Sequence, residues 1–136
     1  MAGAGYSGTP LVKKLGIQPH TKVLLLNAPD NFEALLDTDI HHQIINDKTV
    51  PDLVNLFAKN KAEFVTAMMK VLALYKKNRA MVTWVSWYKK SAGLATDLNE
   101  NVIRDFALQH DLVDIKVCAV SEIWSGLKLV MRIAKR

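Results

Sequence analysis

Residues 53–87 read LVNLFAKNKAEFVTAMMKVLALYKKNRAMVTWVSW, a pattern of two apolar runs on either side of a long amphipathic segment. The first run, 53–58, is apolar except for one asparagine, as in a strand buried on both faces. Asn60, followed three residues later by a glutamate, is typical of a helix N-terminus, and apolar residues at helical spacing predict a helix over 61–77. The second run, 81–87, predicts another strand. Strand, helix and strand in this order predict two parallel strands joined by a right-handed crossover.

The residues before this unit predict one buried strand flanked by short helices. Thr9 suits the N-cap and Pro10 the first position of a helix that Gly16 ends. The continuous apolar run over 23–26 predicts a strand that is buried on both faces. The remaining elements predicted here are a short helix over 32–36 and a short strand over 40–45.

The residues after the unit predict one more helix and a hairpin. Thr96 suits the N-cap of a helix, and 115–120 reads as an apolar strand. Residues 127–133 alternate with a period of two, which is typical of a strand with one face in solvent. The connection 121–126 is short enough for a hairpin. The helix that follows Thr96 is expected to bury one face, formed by Leu98, Val102, Ile103 and Phe106.

Alternating strands and helices predict a single α/β domain over 1–136, with residues 1–8 flexible. The expected architecture is a Rossmann-like three-layer sandwich with a mostly parallel sheet and an antiparallel C-terminal hairpin strand. A parallel sheet closed in this way is similar to the class I methyltransferase fold, here lacking at least one unit. Because one fold hosts many functions, this analogy assigns no activity.

The composition is that of a globular domain with a mild excess of positive charge. Half of the 136 residues are hydrophobic, and the formal net charge is +5. No apolar run reaches the length of about 20 residues that a membrane span needs, and residues 1–8 do not resemble a signal peptide, so a cytoplasmic location without a membrane partner is expected. The single cysteine, Cys118, excludes an internal disulfide and a cysteine-based zinc site, and no metal is predicted.

Three groups of short stretches carry a family resemblance. They are GYSGTPL at 5–11 with KKLG at 13–16, WVSW at 84–87 with KK at 89–90 and TDL at 96–98, and VCAV at 117–120 with WSGLK at 124–128. With these stretches the chain resembles, over nearly its whole length, the bacterial family termed domain of unknown function 3052. The resemblance implies a bacterial α/β protein and no particular activity. In that family a proline follows the second tryptophan, whereas Tyr88 stands there in this chain.

The turn after the first strand argues against a nucleotide cofactor. It reads Asn27-Ala28-Pro29-Asp30-Asn31 and contains no glycine. Nucleotide and S-adenosylmethionine sites use glycines at this turn so that backbone N–H groups can approach the ligand, and Pro29 removes one such donor. No cofactor is therefore predicted, and tight binding of S-adenosylmethionine or NAD is not expected.

The carboxyl edge of the predicted sheet is the candidate ligand site. Asn27 follows the first strand, Lys89 and Lys90 follow the strand at 81–87, and Trp124 and Ser125 lie in the hairpin connection. Ligands of open α/β sheets bind at this edge, and lysines beside a tryptophan suit a small anionic or aromatic ligand. The alternative is that Trp124 closes the hairpin end and that the lysines point into water.

Four other features could carry chemistry, but a structural role is the favoured interpretation of each. Glu100 and Arg104 stand at i,i+4 on a helix, as in a surface ion pair. The adjacent pair His41-His42 would point to opposite faces of a strand and suits a metal poorly. Cys118 lies among apolar residues, as a core cysteine does. Ser86 has no histidine near it in the sequence, so the pattern does not indicate a catalytic triad.

Three functional hypotheses follow. The first is a non-catalytic or degenerate α/β domain that binds a small ligand at the carboxyl edge. The second is a diverged S-adenosylmethionine-dependent methyltransferase-like enzyme. The third is a basic accessory protein of nucleic acids, for which the lysines offer charge but no aromatic RNA-binding motif. Binding of nucleic acid is therefore expected to be non-specific or absent, and the oligomeric state stays open.

Overall fold

The structure is a computed structural model that describes residues 9–46 and 48–136, and it contains a six-stranded sheet between two layers of helices. None of the helices in this part of the chain has the length and apolar character that a membrane span requires. The strands are β1 Val23–Leu26, β2 Ile44–Ile45, β3 Leu53–Ala58, β4 Val82–Tyr88, β5 Leu112–Ala119 and β6 Trp124–Met131. The α-helices are α1 Leu11–Lys14, α2 Phe32–Leu36, α3 Lys61–Tyr75 and α4 Glu100–Gln109, with 3-10 turns at His41–Gln43, Lys90–Ala92 and Ile133–Lys135.

The sheet confirms the predicted mixture of parallel and antiparallel strands. Its order is β2-β1-β3-β4-β6-β5. The first four strands in this order are parallel, and β6 is antiparallel to both β4 and β5. The hairpin strand begins at Trp124, earlier than predicted, because Ser121 closes the connection by accepting hydrogen bonds from the backbone N–H groups of Ile123 and Trp124. It ends at Met131, so Ile133 belongs to the final 3-10 turn.

One face of the sheet packs against α3 and α4. The strands contribute alternate residues such as Leu56, Val85 and Leu127, all fully buried. The two helices meet through an edge-to-face contact between Phe64 and Phe106, whose ring centroids are 5.2 Å apart. The predicted apolar face of the α3 segment is therefore the face that covers this core.

The other face packs against α1 and α2. Phe57 lies at its centre, with Phe32 of α2 and Trp124 of β6 at centroid distances of 5.5 and 5.0 Å. Trp84 is also fully buried here, and its indole Nε1 donates a hydrogen bond of 2.9 Å to the backbone carbonyl of Leu15, just after α1. This hydrogen bond ties the segment just after the first helix to the centre of the sheet.

Two predicted elements near the N-terminus differ from the structure, and the predicted flexibility of residues 1–8 lies outside the described residues. Helix α1 begins at Leu11, so Pro10 occupies the N-cap position and the predicted cap by Thr9 is wrong. Gly16 follows with φ +78°, as expected for the residue that ends a helix. The predicted strand over 40–45 forms a 3-10 turn and only two strand residues, because Gln43 turns inward and donates hydrogen bonds to two backbone carbonyls of the loop at 18–21.

The N-cap of α4 is Asn99, whereas the sequence pattern predicts Thr96. The Asn99 side chain accepts a hydrogen bond of 3.0 Å from the backbone N–H of Val102. The Thr96 hydroxyl accepts one of 3.0 Å from the N–H of Leu98, before the helix begins. Threonine and asparagine are both favoured at N-caps, so the residue type alone does not decide which of two positions three residues apart begins the helix.

Replacing Asn99 by alanine is expected to lower the free energy of unfolding by about 1 kcal/mol, because a helix N–H loses its partner. Thr96→Ala removes a hydrogen bond outside the helix and is expected to cost about half as much. Urea unfolding followed by circular dichroism measures both values. A larger loss for Thr96→Ala would show that the helix starts where the sequence pattern placed it.

Candidate functional site

The carboxyl edge of the sheet is stepped rather than level. Leu26, the last residue of β1, is level with Leu56, and Leu56 is level with Val85. β4 continues for three more residues to Tyr88, so it projects beyond β1. Residues that follow different strands therefore share an edge of the sheet without sharing one pocket.

The β4–β6 part of the edge brings together four of the five residues predicted as a site. Trp124 is opposite Tyr88 and Ser125 is opposite Trp87 in the register, and the backbone N–H of Lys89 donates to the carbonyl of Ile123 at 2.8 Å. Lys89 is half-buried, and Lys90 is exposed at the start of a 3-10 turn.

Trp124 closes the end of the hairpin. Its side chain is 6% exposed and lies between Phe57 and Tyr88, whose ring centroids are 5.0 and 4.7 Å away. Little of the indole face is left for a ligand to stack on. This is the geometry expected from the alternative in which the tryptophan plugs the hairpin.

Asn27 lies at a different place on the same edge. Strand spacing of about 4.8 Å and a rise of about 3.3 Å per residue put its backbone about 14 Å from that of Lys89. It has φ +58°, the left-handed conformation that asparagine tolerates better than most residues. The five predicted residues therefore lie along one edge, and Asn27 is separate from the other four.

Asn27 borders a cavity of about 350 Å³ between the end of β1 and the first turns of α3, here called the β1–α3 cavity. Its apolar wall consists of Leu26, Ala62 and Ala67. The polar groups that line it are Asn27, Glu63, Thr66 and Lys70. Glu63, Thr66, Ala67 and Lys70 follow the spacing i, i+3, i+4 and i+7 and so form one stripe along α3, with Ala62 beside its start.

The stripe on α3 was missed by sequence reasoning. Thr66 and Lys70 lie on the side of α3 away from the buried apolar face, which in a sequence looks like an ordinary solvated surface. No motif in the sequence marks these two residues, and only the position of α3 beside the end of β1 shows that they line a cavity.

The N-terminus of α3 is capped by the chain's own side chains. Asp97 accepts a hydrogen bond of 2.7 Å from the backbone N–H of Lys61, and Asn60 accepts one of 2.8 Å from that of Glu63. The Glu63 carboxylate in turn accepts one of 2.9 Å from the N–H of Lys59. Free N–H groups at a helix start are what bind phosphate, and here these donors are already engaged.

Lysines and carboxylates both lie along this edge, and the carboxylates that cap the helix keep their negative charge. Glu63 and Asp97 are bound to backbone N–H groups. Within residues 9–46 and 48–136, no ion pair involves any of the lysines near the edge. These lysines are Lys59, Lys61, Lys70, Lys89 and Lys90.

The other singled-out residues have structural roles. Arg104 binds Glu100, as predicted, and also Asp114 at 3.1 Å, and these hydrogen bonds raise the pKa of the Arg104 guanidinium. His41 and His42 are exposed, and no three metal-binding side chains of the described residues lie together. Burial raises the pKa of the half-buried Cys118 thiol, although Lys14 and Lys116 partly oppose this, so the reactive thiolate is disfavoured.

Ser86 is part of a buried polar pair and not of a catalytic group. Its hydroxyl donates to the side-chain oxygen of Asn55 at 3.3 Å, and both residues are fully buried between the sheet and the α1–α2 layer. Among the described residues, the Asn55 side-chain nitrogen has no hydrogen-bond partner. The pair is therefore a polar spot inside the second core, away from both ends of the sheet.

The comparisons with known proteins show the fold and no family. No protein-family model matches the chain, and no curated protein resembles it significantly in sequence. The solved structures similar to it include an uncharacterised protein from Listeria monocytogenes serotype 4b, at a TM-score of 0.58 and 7% identity over 92% of this chain and 68% of the other. The membership predicted from the sequence motifs is therefore not confirmed.

Two further solved structures have related folds. A Streptococcus agalactiae protein of the NADB-Rossmann superfamily matches at a TM-score of 0.50 and 5% identity, over 94% of this chain and 70% of its own. A Streptococcus pneumoniae protein proposed to act as a tRNA (m1A22) methyltransferase, solved with S-adenosyl-L-methionine, matches at 0.48 and 5% identity, over 82% and 66%. The Listeria and Streptococcus agalactiae matches show that the chain has a Rossmann-like α/β fold, which the order of its elements also predicts.

Proposed function

We propose that the protein is a non-catalytic α/β domain that binds a small organic anion in the β1–α3 cavity. The observation that carries the proposal is the convergence of Asn27, Thr66 and Lys70 on an apolar wall at the carboxyl edge of the sheet. Open α/β sheets bind ligands at this edge, and pockets with a few polar groups on an apolar surface are the usual form of a small-molecule site.

The side chains of the cavity favour a ligand with an acidic group and a short apolar part. The ammonium of Lys70, the hydroxyl of Thr66 and the amide of Asn27 can all donate hydrogen bonds to an anion. Leu26, Ala62 and Ala67 offer a small apolar surface. Because the negative Glu63 carboxylate repels an anion, the anionic end of the ligand is expected near Lys70, away from that carboxylate.

The lysines along the edge support an anionic ligand in a second way. Positive charge along an open groove attracts anions over several ångströms and raises their local concentration. Salt screens exposed charges, so this contribution should weaken as the ionic strength rises from about 0.01 to about 0.15 M. Over that range the Debye length falls from roughly 30 to roughly 8 Å. The lysines from the predicted set, Lys89 and Lys90, are assigned to this steering role.

Calorimetric titration with phenyl phosphate, benzoate and the neutral benzyl alcohol tests the proposal. The two anions are expected to bind more tightly than the alcohol, and Lys70→Ala to weaken their binding about tenfold. Thr66→Val should weaken it about threefold. Lys77→Ala is the matched control, since Lys77 is an exposed lysine just after the end of α3 and does not line the β1–α3 cavity.

The double variant Lys89→Ala/Lys90→Ala separates the two parts of the edge. Its free energy of unfolding should stay within about 0.5 kcal/mol of the parent, because both changes are at the surface. Anion affinity should fall less than twofold at physiological salt. If this variant loses binding while Lys70→Ala keeps it, the site lies at the β4–β6 end with Trp124 and Ser125, and the β1–α3 cavity is not the site.

The methyltransferase-like alternative has only the fold in its favour. The described turn at 27–31 has no glycine, and the N-terminus of α3 is capped by Asp97 and Asn60. Calorimetry is therefore expected to give dissociation constants for S-adenosylmethionine and NAD weaker than about 100 µM. Micromolar affinity for either compound would overturn the non-catalytic proposal in favour of the enzyme.

The nucleic-acid alternative is favoured by the unpaired lysines alone. Binding that depends only on phosphate contacts falls steeply with salt. Any retardation of a mixed-sequence DNA or RNA at 50 mM salt is therefore expected to disappear at 200 mM. Binding that survives 200 mM salt and prefers one sequence would establish a nucleic-acid function.

A further inference from the structure

A second cavity, of about 580 Å³, lies at the other end of the fold, where α3 and α4 end; it is here called the α3–α4 cavity. It shares no lining residue with the β1–α3 cavity. Its walls come from three elements: the last turns of α3, the end of α4 and the segment after β6. The proposed function does not involve it.

The floor of the α3–α4 cavity is apolar and partly open to solvent. Met69 is 57% exposed although its neighbour Met68 is fully buried, and Leu72 and Met131 are half-buried. Methionine side chains are flexible and polarisable, so they adapt to ligands of different shapes. Exposed apolar side chains grouped around a cavity mark a binding surface more often than single ones do.

The rim of the cavity is cationic. Lys76, Arg79 and Lys135 all line it, and within residues 9–46 and 48–136 none of them forms an ion pair. The carboxylate of Asp111, which also lines the cavity, is bound by Arg132 at 3.1 Å. The end of α3 favours a cation at Lys76 through its dipole, but Lys135 comes from a separate element. The helix dipole therefore does not explain the whole rim.

The Arg79 side chain is directed towards Lys135, another residue of the cationic rim. Its guanidinium Nη1 donates a hydrogen bond of 3.2 Å to the backbone carbonyl of Lys135. Arginine has five N–H donors in a planar arrangement, so donors remain that can bind an oxyanion. A ligand that joins an oxyanion to an apolar chain would match both the rim and the floor.

We propose that the α3–α4 cavity binds a free amphiphilic anion, specifically an aliphatic carboxylate of medium chain length. The carboxylate is held by Arg79 and Lys135, and the alkyl chain lies against Met69, Leu72 and Met131. A volume of about 580 Å³ is within the usual range for pockets of small ligands. Each additional methylene that becomes buried should raise the affinity up to about fourfold.

The test is a titration of the full chain with octanoate and decanoate, with methyl-labelled methionines followed by NMR. The methyl signals of Met69 and Met131 should shift in a saturable way, and those of the buried Met68 and Met81 should shift much less. Decanoate should bind more tightly than octanoate. The neutral decanol should bind at least tenfold more weakly than decanoate, because it leaves the cationic rim without an anion.

Variants at exposed positions complete the test without endangering the fold. Arg79→Ala and Met69→Glu should each weaken decanoate binding about tenfold, whereas Lys77→Ala should leave it within twofold. Equal shifts at all four methionines, or unchanged affinity in Arg79→Ala, would overturn the proposal. Binding to anionic phospholipid vesicles without saturable binding of free decanoate would also overturn it, and would assign the patch to a membrane surface.

Discussion

Replacing Trp84 by alanine is expected to lower the free energy of unfolding by about 3–5 kcal/mol, which is the range for removing a large aromatic from a core. Trp84 is fully buried near the middle of β4. It packs between the sheet and the α1–α2 layer, and its indole holds the backbone carbonyl of Leu15 at 2.9 Å. Alanine would leave a cavity and an unpaired buried carbonyl.

Trp84→Phe separates the two contributions. Phenylalanine keeps most of the apolar contact but cannot donate to Leu15, so a smaller loss of about 1–3 kcal/mol is expected. Urea unfolding measures both variants, and amide exchange of α1 shows whether the helix detaches before the sheet unfolds. A loss below 1 kcal/mol for the alanine variant would mean that the second core does not depend on this residue.

Raising the pH from 10 to 12 is expected to destabilise the protein through Tyr75 by about 2 kcal/mol. Burial raises the pKa of Tyr75 from 10.0 to about 12, although its hydrogen bond with Thr83 and the charge of Arg136 act in the opposite direction. The folded state therefore keeps its proton over a range in which the unfolded state loses it. The contribution of Tyr75 to stability is fully present well below pH 10 and is lost as the pH rises through about 12.

Tyr75→Phe isolates this effect from the titration of the lysines. The phenolic oxygen lies 2.8 Å from the Thr83 hydroxyl, so the variant should lose about 1 kcal/mol at pH 8. Between pH 10 and 12 its stability should fall less steeply than that of the parent. Parallel curves for the two proteins would contradict the assignment of the high-pH destabilisation to Tyr75.

The strand–helix–strand unit could be predicted because several local signals agree there. Asn60 caps the helix as predicted, the apolar face of α3 follows a clear helical period, and the runs on either side are buried strands. The antiparallel position of β6 could also be predicted, since its alternating pattern indicates a strand and the short connection 121–126 allows a hairpin. In such stretches propensity, periodicity and tertiary packing favour the same structure.

Where the prediction was wrong, tertiary contacts decided between local options of similar energy. Thr96 and Asn99 are both good N-cap residues, and in the structure the side chain of Asn99 caps α4. The residues 40–45 are apolar enough for a strand, but Gln43 finds buried backbone partners by turning inward in a 3-10 turn. Such partners lie more than 20 residues away and leave no trace in the local pattern.

The candidate site shows the same division. The sequence identifies the carboxyl edge and its lysines, but not the height at which each strand ends. The projection of β4 beyond β1 separates Lys89 from Asn27, and the position of α3 beside the end of β1 places Thr66 and Lys70 at a cavity. These are properties of the register of the sheet, which depends on pairings across the whole fold.

The most direct test of the proposed function is an NMR titration of the uniformly labelled protein with phenyl phosphate, in which backbone amide shifts locate the ligand. Saturable shifts are expected at Asn27 and along residues 62–70, and they should be weakened by salt and reduced in Lys70→Ala. Small shifts are expected at Lys89, Lys90, Trp124 and Ser125. Saturable shifts centred on those four residues, or none near the end of β1, would contradict the proposed function.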